Sequence, residues 1–364
     1  MNFADFSNKN MSLLKDYETL SKTAGARVDY VQGGGGNTSV KLSDDIMAIK
    51  ASGYKLSQVE TDDGFALLNY QKIRKFFNEN DPNTLEDIEK EGSEAVKASK
   101  VNFEGFKELR PSVEAGFHAL LDTFVLHSHS VYSNLIACIA EADQVLNEIF
   151  ADECCIVDYV NPGINLTFLI KNEIDKYKVK FNKDPNVIFM KNHGLIVSAQ
   201  NLDDCLRIHD EVNQKIIDFF GISEQEISHF NNTKLEEIEP GIYKNNLDFI
   251  KTEIKNNNYG MDFYVKNSLY PDQMVFLNDN VDLSNDAPEV SNITNKCTIF
   301  KTGDVFYKTN IQEAQTIQDT ICAVLFIYMA VKRKGYTIAT MDEKGKDFIK
   351  NWESEKYRKT LIQK

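Results

Sequence analysis

Three short strand-forming segments, ARVDYVQ (26–32), NTSVKL (37–42) and DIMAIKAS (45–52), follow one another with only Gly-rich or Asp-rich turns between them. Parallel neighbours need a long crossover, so turns this short suit antiparallel strands. Further strand signals come at TFVLHSH (123–129), CCIVDYV (154–160), VIFMKNH (187–193) and GLIVSAQ (194–200). Helical spacing marks 3–23, 112–122, 131–142 and 201–221, the last with Asn201 as a polar cap and Gly221 at its end. Residues 28–220 show neither strict βαβ alternation nor a GxGxxG fingerprint. The pattern predicts a three-layer α/β fold, with a central, mostly antiparallel sheet flanked by helices.

Around 221–245 the composition turns polar (SEQEISHFNNTKLEEIEPG), which divides the chain into a domain over 1–225 and a smaller α+β extension over 226–364. In the extension, YGMDFYV (259–265), QMVFL (273–277), CTIFK (297–301) and VFYK (305–308) read as strands, and about 310–333 and 341–361 as helices. The most apolar run, ICAVLFIYMAV (321–331), is 11 residues long, too short to span a bilayer, and reads as a buried helix. The stretch 78–100 is polar and reads as a surface excursion with one exposed helix.

The formal net charge of −14 disfavours a nucleic-acid or anionic-membrane surface but leaves room for a small anionic ligand in a local pocket of donors. The first twenty residues show neither a basic n-region nor an apolar h-region, so no secretory signal is expected. The six cysteines have no CxxC spacing, which points to a reducing cytoplasm rather than a disulfide framework or zinc ribbon. Adjacent Cys154 and Cys155 read as strand residues.

Only six histidines occur in 364 residues, and two of them, His127 and His129, stand two apart on one strand. Side chains alternate along a strand, so both point to one side. His193 sits in KNHG (191–194), where a tight turn between two apolar runs would expose it. Three imidazoles can hold a divalent ion and leave positions for substrate; structural or surface histidines are the other reading. Glu114, about thirteen residues before His127 in RPSVEAGFHALL, falls in the first turn of its helix. A carboxylate there either does chemistry or complements the helix dipole. His118, four residues on, reads as a packing residue.

The run QGGGGNTSV (32–40) either cradles an anion on exposed N–H groups around Asn37 and Thr38 or forms a flexible hairpin turn. KASGYK (50–55) adds a second small-residue turn at Ser52 and Gly53, and Ser112 caps the helix of Glu114.

Taken in order, GNTS, SG, PSVE, HSH and NHG resemble the class II aldolase/adducin family over roughly residues 12–220. LYPDQMVFL (269–277) and NWESEKYRKTL (351–361) are similar to segments that follow the aldolase portion of bifunctional rhamnulose-phosphate aldolase/lactaldehyde dehydrogenases. The chain resembles that aldolase half, without the dehydrogenase domain.

The resemblance implies a class II aldolase-like fold in a homo-oligomer, usually a tetramer. It implies His127, His129 and His193 as ligands of Zn²⁺ or another divalent metal, and Glu114 as acid/base. Asn37, Thr38, Ser52, Gly53 and Ser112 would line the phosphate or substrate site. The implied partner is a small sugar or sugar phosphate, with neither nucleic acid nor membrane. The implied reaction is retro-aldol cleavage of a ketose or ketose phosphate through a metal-stabilised enediolate. A 4-epimerase of the same family and a non-catalytic sugar-binding module are the alternatives. A second acid/base, acting on the aldehyde oxygen, has no residue assigned to it. Val113 stands where these aldolases commonly carry a second serine, so one phosphate donor is missing.

Overall fold

The structure is a computed structural model that describes residues 2–231 and 233–351. A seven-stranded sheet is built from β1 (Asn37–Lys41), β2 (Ile46–Lys50), β3 (Phe65–Asn69), β4 (Phe124–Ser128), β5 (Cys155–Val157), β6 (Val187–Met190) and β7 (Gly194–Ala199). Its order is β3-β2-β1-β4-β7-β6-β5, and every pairing but β5–β6 is antiparallel. Alternation along the central strands divides the core. Val40, Leu126 and Val197 face the helices Met11–Gly25, Val131–Ala137 and Leu202–Phe220. Ile49, Val125 and Ile196 face Tyr70–Glu79, Ala115–Leu120 and Ile164–Phe181. The expected three-layer, mostly antiparallel arrangement is therefore present.

The first expected strand is not. Residues 27–31 turn instead, with Tyr30 N–H and Val31 N–H both donating to Arg27 O at 3.0 Å. Polar anchors hold this turn: Arg27 pairs with Asp29, Tyr132 OH donates to Asp29 at 3.0 Å, and Tyr30 OH to Asp210 at 2.6 Å. Tyr132 and Asp210 come from distant segments, and a period-two reading of 26–32 cannot register them. The N-terminal helical stretch also divides, into Phe3–Lys9 and Met11–Gly25, at Asn10. In the 78–100 stretch the helix Ile88–Ala98 forms.

The extension carries a second sheet of β8 (Glu236–Glu239), β9 (Ile242–Lys244), β10 (Val281–Ser284), β11 (Cys297–Phe300) and β12 (Val305–Lys308), ordered β10-β11-β12-β9-β8. Two expected strands are helices, Met261–Val265 and Pro271–Leu277. Pro271 opens the second of these, and its fixed φ suits the first helical position. Short apolar runs do not reveal by period whether they are strand or buried helix.

Ile311–Lys334 is long and apolar enough to cross a membrane, yet 83% of its most apolar window is buried inside the protein. It packs on Val131–Ala137, so the extension and the first sheet share one apolar core, which runs across the polar stretch at 221–245. The final described helix is Glu343–Asn351; the rest of the helix expected over 341–361, and of NWESEKYRKTL, lies outside the described residues.

Candidate active site

The site forms at the end of β4. His127 pairs with Asn37 of β1 on one side and Ile196 of β7 on the other, so three strands fix its backbone. His129 follows just beyond the strand end, and His193 lies in the tight β6–β7 connection beside it. Ligating atoms of the three imidazoles all lie within 4.8 Å of one another, and all three residues are buried.

Hydrogen bonds fix two of the tautomers. His127 Nδ1–H donates to Leu195 O at 3.0 Å, and His129 Nδ1–H donates to the Asp272 carboxylate. Both Nε2 atoms therefore present lone pairs, and they stand 3.1 Å apart. Two acceptors cannot satisfy each other, whereas a cation between them satisfies both. Burial pushes the His127 imidazole well below its ordinary range, which keeps it in the neutral form that a metal ligand requires.

Glu114 completes the cluster. Its Oε1 lies 3.2 Å from His193 Nε2 and its Oε2 3.7 Å from His127 Nε2. Burial alone would raise its pKa. Against that, the Asn37 amide donates to Oε2 at 2.6 Å and favours the carboxylate form. Glu114 Oε1 and His193 Nδ1 are buried with no hydrogen-bond partner among the described residues. The donor set of three imidazoles and one carboxylate thus fits a divalent cation, zinc among them.

The helix starts three residues later than the expected 112–122, and its cap is Glu114 rather than Ser112. Ala115–Leu120 is the helix and Glu114 its N-cap, while Ser112 Oγ accepts from Glu114 N–H at 3.3 Å. At the other end, Arg74 donates to Ala119 O at 2.6 Å and Lys41 to Leu121 O at 2.6 Å. Cations on the last carbonyls hold a six-residue helix too short to stand alone.

His118 is not a mere packing residue. It is fully buried, and its Nε2–H donates to Asn37 Oδ1 while Ser39 Oγ–H donates to its Nδ1 at 2.8 Å. This fixes the Asn37 amide with its NH₂ toward Glu114 Oε2 at 2.6 Å and Ser112 Oγ at 3.3 Å. Burial lowers His118 to about 3, so it works as a neutral relay.

Asn37, Ser112 and the Ser52–Gly53 turn come together: Ser52 N–H donates to Arg110 O at 2.8 Å, and Ser112 N–H to Lys50 O at 3.2 Å. Thr38 does not join them. Its hydroxyl points to the opposite face and lies 2.6 Å from Ser21 Oγ. A cavity of about 1230 Å³ has Ser112 and Val113 in one wall and Lys344 and Phe348 of the extension in another.

The glycine run is neither an exposed cradle nor a free turn. Gly34, Gly35 and Gly36 are buried. A Cβ on Gly33 would meet Thr316 Cγ2 at 2.5 Å, and one on Gly35 would overlap Asp272 Oδ2 and stand 2.8 Å from His129 Nδ1. The run makes room for the extension. Asp272 is the site residue that sequence reasoning missed. The available signal was a charge inside the apolar segment LYPDQMVFL, since a buried carboxylate needs a partner.

The uncharacterized oxidoreductase YuxG of Bacillus subtilis (strain 168) is 25% identical over 202 residues, which is 50% of this chain and 27% of YuxG. The chain thus matches about a quarter of the length of that relative. The N-terminal class II aldolase domain of a conserved protein from Thermoplasma acidophilum is 24% identical, with a TM-score of 0.46 over 56% of this chain and 92% of that one. A sugar-phosphate aldolase from Thermotoga maritima is 10% identical, with a TM-score of 0.39 over 59% and 97%. Residues 21–215, more than half of the chain and the span that holds Asn37, Glu114 and the three histidines, match the class II aldolase and adducin N-terminal domain, and to that family the chain belongs.

Proposed function

We propose that the chain is a metal-dependent aldolase, an aldehyde-lyase that cleaves a ketose or ketose phosphate by a retro-aldol step. The observation that carries this reading is the convergence of three buried imidazoles on one point beside a buried carboxylate. His127, His129 and His193 would hold the ion. A divalent cation bound there, zinc by preference, supplies Lewis acidity toward a carbonyl and its neighbouring hydroxyl.

The chain's own residues do the remainder. Glu114 Oε2, anionic and oriented by Asn37, moves the proton at the carbon where the carbon–carbon bond breaks or forms. Asn37, Ser112 and the Ser52–Gly53 turn, drawn together by their own hydrogen bonds, would meet an anionic or hydroxylated end of the substrate. Val113 stands beside Ser112 where these aldolases commonly carry a serine, so a phosphate bound there would have one hydroxyl fewer to hold it. The buried walls around Glu114 exclude bulk water from the proton it handles.

The family's usual tetramer leads us to infer a homo-oligomer. Six free cysteines, five of them buried, support a reducing, cytoplasmic setting.

Elemental analysis of the wild type and of His127→Ala/His129→Ala tests the metal centre. The expected result is about one divalent ion per chain, lost in a double variant that stays folded. A panel of ketoses and ketose phosphates, with a reductase trapping released aldehyde, then tests the lyase. Wild type without metal after a zinc challenge would overturn the reading. Substrate inversion without released fragments would replace the lyase by the 4-epimerase.

A further inference from the structure

We propose that Asp272, supplied by the extension, is a positioning residue that sets how tightly the three-histidine centre holds its divalent ion. The inference rests on reading His127, His129 and His193 as ligands, and it adds a role for a segment outside the family-matched span.

Three observations carry it. First, Asp272 and His129 are joined across 143 residues of sequence, and both are buried, Asp272 completely. A buried carboxylate is costly unless its hydrogen bonds are made. Second, the first domain leaves a place for it. At Gly35 any side chain would overlap Asp272 Oδ2 and press on His129 Nδ1.

Third, the same stretch of the extension reaches the loop of another proposed ligand. Asn192, next to His193 and at φ +50°, donates through Nδ2 to Leu269 O and to Ala339 O, each at 2.9 Å. Cys138 and Ser268 continue the seam: Ala339 N–H donates to Cys138 O and Met341 N–H to Ser268 O. Segment 268–272 thus ties together the β4 end and the β6–β7 turn, on which all three imidazoles sit.

The physical consequence follows from how imidazoles bind metals. A carboxylate accepting from Nδ1–H orients the ring, fixes the tautomer that leaves Nε2 unprotonated, and makes Nε2 a better donor. Losing such a partner typically weakens metal affinity about 10–100-fold. Asp272→Asn keeps shape and an acceptor oxygen but loses the charge, so its effect falls between wild type and Asp272→Ala.

The test uses the full chain, stripped of metal and titrated with Zn²⁺ against a chromogenic chelator. Wild type, Asp272→Asn, Asp272→Ala and His127→Ala/His129→Ala are compared, with the Co²⁺ absorption spectrum as second readout. Metal-free urea unfolding identifies any variant that does not fold. The expected result is Zn²⁺ affinity about 10–100-fold weaker in Asp272→Ala, a smaller loss in Asp272→Asn, and altered Co²⁺ bands in both. Equal affinity and spectra in wild type and a folded Asp272→Asn, with metal lost only in the histidine variant, would overturn the role of Asp272 and leave the metal reading intact. A wild type that binds no better than the histidine variant would sink both.

Discussion

Glu114 and His118 stand four residues apart and hold the two ends of one side-chain amide, that of Asn37. Glu114→Gln keeps the shape and removes the base, so turnover should fall at least about 100-fold while metal content stays at the wild-type level. His118→Leu leaves Asn37 Oδ1 and the Ser39 hydroxyl without partners, a cost of about 1–3 kcal/mol in urea unfolding. The freed Asn37 amide can then turn its oxygen toward Glu114, and turnover should drop as well. His118 and His209 also set a pH dependence, because burial lowers each to about 3. The unfolded chain binds protons on both below about pH 6.5 while the folded chain does not. Their stability is therefore complete above about 6.5 and is lost as pH falls toward 3, at up to about 1.4 kcal/mol per pH unit for each. Urea midpoints of metal-free protein between pH 7 and 5 check the sign. The strand and the turn that carry the imidazoles were legible from HSH and KNHG. The relay through His118 was not, because four-residue spacing on a helix says nothing about Ser39 on a neighbouring strand.

The glycine run and the helix Pro271–Leu277 are the two elements that meet at His129. Gly35→Ala should push Asp272 from His129 and weaken Zn²⁺ binding, at an overpacking cost of about 1–3 kcal/mol. Chelator competition and urea unfolding on one preparation separate the two effects. Most of the central sheet could be read from period-two alternation, since Val40, Leu126 and Val197 mark one face and Ile49, Val125 and Ile196 the other. QMVFL could not. An apolar run of five residues satisfies strand and buried helix alike, and only Pro271 favours the helix. The four glycines likewise announced permissive backbone but not its use. Thr316, Phe276 and Asp272, which pack against Gly33 and Gly35, come more than two hundred residues later in the sequence.

For the molecule as a whole, one apolar core spans both sheets, and the proposed role of Asp272 would link ion binding to docking of the extension. If Asp272 strengthens the hold on the ion, the ion must strengthen the hold on Asp272 by the same factor. Amide exchange over Met261–Val265 and Pro271–Leu277 should slow when Zn²⁺ is added to stripped protein, and should slow less in Asp272→Ala. Net charge and cysteine spacing bounded this assembly from composition alone, but neither speaks to a seam made by Asn192, Leu269 and Ala339.

The 143 residues between His129 and Asp272 also put a clock on the site. At roughly 5–20 residues per second, the ribosome adds Asp272 about 7–30 s after His129. Only in its later part, once His193 has followed His129 by 64 residues, does a nascent chain have all three imidazoles but not the carboxylate beside them. If the imidazoles hold an ion as proposed, that ion should exchange more readily until segment 268–272 has closed over the glycines.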